Sequence, residues 1–119
     1  MRSRAIGALG ALVLGATGLV VSATASPAAA TCSHTHSNRD SNNGYINASD
    51  AAVRPGPHIS CGLNGRAYRN QGVDYHCYTL NGDYYNGWST WTWGYVPSIG
   101  RSGWINDALL SGHGSYVLC

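Results

Sequence analysis

The sequence predicts an all-β fold: a small barrel of five to six short antiparallel strands held by two disulfides. Three observations carry this. No window sustains a 3.6-residue apolar period, and 16 glycines divide the chain into short pieces. Runs rich in β-branched and aromatic residues alternate with Asn-Gly pairs, which suit the positive φ angles of tight hairpins. Four cysteines, Cys32, Cys61, Cys77 and Cys119, follow a start that has the layout of an export signal.

That start is Met1-Arg2-Ser3-Arg4, a positive head, followed by an uncharged apolar run from Ala5 to Val21. The run is too short and too rich in Gly and Ala to anchor the chain in a bilayer. Ala28-x-Ala30 offers small residues for cleavage before Thr31, with Ala23-x-Ala25 as a second candidate, so residues 1–30 are expected to be a signal peptide. Lipid attachment at Cys32 is disfavoured by Thr31 before it, and would leave an odd number of thiols. Beyond residue 30 the chain holds five Arg, five Asp, no Lys and no Glu, and is formally neutral. Such a balance lacks the basic stripe that nucleic acid requires, and the expected location is secreted, extracellular or wall-associated, with no membrane contact after signal removal. Eighty-nine remaining residues make one domain, too small to be comfortably stable without cross-links. The cysteines are read as two disulfides. A zinc site is not expected, because no two lie at C-x2-4-C spacing.

Residues 31–48 form a polar N-terminal arm in which only Tyr45 and Ile46 suit a core, and residues 49–119 form the barrel domain. Strands are expected at 51–53, 58–61, 73–80, 91–96, 103–106 and 115–118, with turns at Asn64-Gly65, Asn81-Gly82 and Asn86-Gly87. Asp107 to Leu110 reads as a single helical turn capped by Asp107. Alternation in the 73–80 strand places Val73, Tyr75, Cys77 and Thr79 on the inward face. Of the three connectivities open to four cysteines, that face favours Cys61 with Cys77 across the core, which leaves Cys32 for Cys119.

Four marks in order resemble the bacterial SH3-like (SH3b) domains of secreted and cell-wall proteins. They are Val53-Arg54-Pro55-Gly56-Pro57, Gln71-Gly72-Val73, Trp93-Gly94-Tyr95-Val96, and Gly103-Trp104-Ile105 with Leu109-Leu110 behind it. The first departs from the family's N-V-R-S-G-P opening at Ala52 and Pro55. The marks span about Ala51 to Leu110 and are most similar to small standalone forms secreted by actinomycete-type bacteria. The resemblance implies an SH3-like barrel that binds cell-wall peptidoglycan peptides without catalysing a reaction.

The residues themselves offer little catalytic chemistry. His34 and His36 lie in the arm, His58, His76 and His113 have no acidic neighbour at ligand spacing, and His76 and Cys77 point to opposite faces. Five Asp without Glu offer no evident acid/base pair, although Asp74 and Asp83 are candidates for proximity. No enzyme activity, cofactor or metal is expected. The stronger signal is an aromatic surplus, Tyr84, Tyr85, Trp88 and Trp91, in the loop before the 91–96 strand. These four residues are the candidate ligand-binding platform, because a barrel this small has no room for all of them. The expected protein is a monomeric binding module for an envelope ligand, or alternatively an extracellular inhibitor or competition factor that grips a protein with the same surface.

Overall fold

The longest apolar alternation in the chain becomes the spine of the fold. In a computed structural model describing residues 31–119, the strands are β1 (Asn43–Tyr45), β2 (Asp50–Val53), β3 (Gly65–Tyr68), β4 (Gly72–Thr79), β5 (Trp91–Val96) and β6 (Arg101–Asn106). The expected signal peptide, residues 1–30, lies outside the described residues. All strand pairs are antiparallel, in a four-stranded sheet ordered β1-β4-β5-β6 and a two-stranded sheet of β2 and β3. Among the described residues, helical geometry is confined to 3-10 turns, including Ile59–Cys61, Asp107–Leu109 and Ser111–His113. The all-β expectation holds.

Backbone bonds join the two sheets at Arg54 and Trp104, whose N–H and C=O groups pair at 3.0 and 2.7 Å. Gly103 makes that approach possible, since a Cβ there would lie 2.6 Å from Val53 Cγ1 and 2.8 Å from Arg54 O. On the enclosed side Ile46, Ala51, Val53, Ala67, Val73, Tyr75, Val96, Ile105 and Leu110 form the aliphatic core.

Val73, Tyr75, Cys77 and Thr79 are all buried, as alternation predicts, but they do not share one face. The register shifts between Tyr75 and Cys77: Tyr75 stands opposite Gly94, and Cys77 opposite Trp93. Two steps on β4 therefore match one on β5, the signature of a bulge. Cross-strand partners share a face, so Cys77, Trp93 and Trp104 line the side opposite the core. There the N-terminal arm covers them. His36 stacks on Trp93 with ring centroids 3.6 Å apart, and His34 and His36 both meet Trp104 at 6.1 Å.

This inversion corrects the disulfide pairing. The bridges are Cys32–Cys61 and Cys77–Cys119, not Cys61 with Cys77 and Cys32 with Cys119. Cys77 faces away from the core, and the C-terminal residues lie along β4, with Tyr78 N–H donating to Val117 O and Cys119 N–H to Tyr78 O. Cys61 is on a 3-10 turn rather than the strand expected over 58–61, which brings it to the arm. Residues 115–118 likewise form no strand, contributing one parallel bridge between Leu118 and Tyr78. Conversely β1 and β3 were not anticipated. Gly65, expected in a turn, starts β3.

The arm is a strap with fixed contacts. Arg39 N–H donates to His76 O, its guanidinium reaches Cys119 O at 3.1 Å, and buried Asp40 accepts from Ser115 Oγ at 2.7 Å. Residues 31–119 form a single compact unit. The turn Asp107–Leu109 is capped by Asn106, whose Oδ1 accepts from Ala108 N–H at 2.9 Å. Asp107 is buried instead.

Candidate functional site

The aromatic loop is organised by its Asn-Gly pair. Asn86 (φ 53°) and Gly87 (φ 85°) both adopt the left-handed region, and Tyr85 and Trp88 exchange two backbone hydrogen bonds at 2.9 and 3.0 Å. This tight turn sends the four rings to different environments. Tyr84 is 77% exposed and Tyr85 41%. Trp88 is half-buried, its ring stacked on His113 with centroids 4.2 Å apart. Trp91 is 2% exposed and its Nε1–H donates to Asp83 O at 2.9 Å. A common four-ring platform is therefore not present: Trp91 belongs to the interior, because it starts β5 and its cross-strand neighbour is buried Asn106.

Two of the four rings meet again at a cleft of about 140 Å³. Its walls include Tyr85, Trp91, Ile59, Asp50, Arg54 and Arg66. Ala52 and Arg66 are register partners on β2 and β3, and Arg54 pairs with Trp104, so the cleft lies on the side opposite the aliphatic core. Arg54 Nη1 donates to Gly62 O at 2.9 Å, which orients its guanidinium. Arg66 lies 3.7 Å from Asp50, and both side chains are about half exposed. An exposed pair at that distance contributes little to stability, so its charges are available to a ligand. Sequence reasoning missed Arg66 because Gly-Arg-Ala-Tyr shows too short an alternation to read as a strand. Arg54 was visible only within the Val53 to Pro57 mark.

Trp88 opens onto a different cleft, of about 300 Å³, together with Leu80, Asp107, His113 and Tyr116. Burial pushes the Asp107 carboxyl up to about 6, opposed by the hydroxyl of Thr92, which donates to Asp107 Oδ1 at 2.6 Å.

The histidines acquire acidic partners that spacing did not reveal. His58 Nδ1 lies 2.7 Å from Asp83 Oδ1, and His76 Nε2 lies 3.3 Å from Asp74 Oδ2. The hydrogen bond from His58, helped by Ile59 N–H at 2.8 Å, holds the Asp83 carboxyl below the usual range. Asp74 and Asp83 are thus each engaged with a histidine. Among the described residues, no group of three or more His, Cys, Asp or Glu side chains is placed to hold a metal ion, and every cysteine is bridged. No protein-family model, curated protein or solved structure matches this chain.

Proposed function

We propose that this protein is a secreted, non-catalytic binding module that holds an extended, carboxylate-bearing peptide of the cell envelope, with cell-wall peptidoglycan peptides the leading candidate. The observation that supports this reading is the cleft in which Tyr85 and Trp91 stand with Arg54 and Arg66. Tyr85, 41% exposed, offers the apolar contact while Trp91, 2% exposed, only backs the wall, and a guanidinium recognises carboxylates in bidentate fashion. Two disulfides suit an oxidising, extracellular environment, and they limit the conformational entropy lost when a small domain binds. The resemblance to SH3-like wall-binding domains points the same way.

Co-sedimentation with purified cell walls tests this proposal. Wild-type protein should pellet, while Arg66→Ala and Tyr85→Ala each weaken retention about tenfold, the loss of one good polar or aromatic contact. Wild-type protein remaining in the supernatant refutes wall recognition. Retention unaffected by either substitution removes the cleft from it.

A further inference from the structure

His34 and His58 face each other with their Nε2 atoms 3.3 Å apart. The separation lies at the long end of hydrogen-bond distances and also suits two nitrogens that share an ion. Two nitrogen ligands of a tetrahedral cation, each bonded at about 2.0–2.1 Å, stand about 3.3–3.4 Å apart. The two rings are tilted at 56° with centroids 5.3 Å apart, so they meet at their Nε2 edges rather than stacking face to face.

The surroundings prepare the pair for a cation. Asp83 Oδ1 receives the Nδ1 proton of His58 at 2.7 Å, which leaves the His58 Nε2 lone pair directed at His34. Ile59 N–H fixes the other carboxylate oxygen at 2.8 Å. This carboxylate–histidine arrangement is the usual outer support of a metal-bound imidazole. The Cys32–Cys61 bridge flanks both residues in sequence, so the approach of the two rings is covalently constrained.

We propose that His34 and His58 form a two-imidazole site for a borderline divalent cation of the Zn²⁺ or Cu²⁺ class, with Asp83 as the outer carboxylate. Imidazole suits these ions, and water completes the shell because no third protein ligand converges there among the described residues. Binding needs the His34 proton on Nδ1 so that Nε2 carries a lone pair. The ion ties the arm to the Ile59–Cys61 turn and so holds the strap over Trp93 and Trp104.

Calorimetric titration of the purified, disulfide-bonded protein with Zn²⁺ at pH 7.5, with imidazole ¹⁵N spectra in parallel, tests this site. One ion should bind per chain, and the Nε2 resonances of both His34 and His58 should move. His34→Gln should weaken binding at least tenfold while the circular dichroism spectrum stays unchanged, and Asp83→Asn should weaken it about 10- to 100-fold. His76→Gln, on the separate Asp74 pair, should leave it intact. Absence of binding, binding that survives His34→Gln, or binding lost in His76→Gln overturns the proposal. The wild-type ¹⁵N shifts decide the matter should a variant fail to fold.

Discussion

The two faces of the β4-β5-β6 sheet are closed by different means. One carries Val73, Val96 and Ile105 and is sealed by β2 and β3, so its burial follows from aliphatic packing between the two sheets. The other carries Trp93 and Trp104 and is covered by the arm, which makes no strand over them and is held by Cys32–Cys61, by Arg39 and by Asp40. A short irregular strap has little apolar area of its own. Its cover depends on aromatic stacking, a few polar bonds and a covalent tie, and it is therefore more sensitive to redox state than the aliphatic face.

The largest effect should come from the tryptophans. Trp104→Ala and Trp91→Ala, at 0% and 2% exposure, should each cost about 3–5 kcal/mol in urea unfolding, against about 0.5–1.5 kcal/mol for Ile105→Val on the aliphatic face. A Trp91→Ala protein as stable as wild type would return that ring to the surface. Replacing Cys32 and Cys61 together by Ser should cost about 2–5 kcal/mol and raise the accessibility of Trp93 to acrylamide quenching. If quenching is unchanged, the polar bonds of Arg39 and Asp40 suffice to hold the strap.

Acidity should separate the two faces further. Asp107 has its folded carboxyl raised to about 6 from 3.8, so between those values the folded state holds a proton that the unfolded state has released. Its contribution is therefore present in acid and lost as pH rises, by about 2 kcal/mol between pH 4 and 7. His36 has the opposite sense: burial first, and His76 second, lower its folded value below 6.5. The stack on Trp93 thus favours the fold above about pH 6.5 and weakens as pH falls through the folded value. Asp107→Asn should abolish the first trend and His36→Phe the second, each read from unfolding midpoints across pH 4–8. The smallest change is expected for Tyr84→Ala, which at 77% exposure should shift stability by no more than about 0.5 kcal/mol.

Much of the architecture is legible from local pattern. β2, β4, β5 and β6 fall within a residue or two of their expected runs, because period-two alternation and β-branched content are properties of each segment alone. Asn86-Gly87 forms its hairpin for the same reason, as only such residues tolerate two successive positive φ angles. β3 was missed because, of its four residues, only Ala67 is buried, too weak a signal to stand out from a turn. The aromatic loop was identified, but its rings divide between surface, stack and interior according to strand register.

By itself the sequence determined an all-β fold, two bridges, and the burial of Val73, Tyr75, Cys77 and Thr79. Tertiary structure decided which face each of those residues serves, which cysteines meet, and which aromatics join the arginines. The physical reason lies in the bulge between Tyr75 and Cys77, which reverses the phase of β4 through its pairing with β5. Nothing local to β4 encodes that shift, and the cysteines it redirects pair across separations of 29 and 42 residues. The His34–His58 contact also arises only when the arm folds back onto the turn, and the His58–Asp83 contact only when the aromatic loop meets it. They join His34, His58 and Asp83, residues 24 and 25 positions apart along the chain. Alternation along a strand carries no information about that encounter.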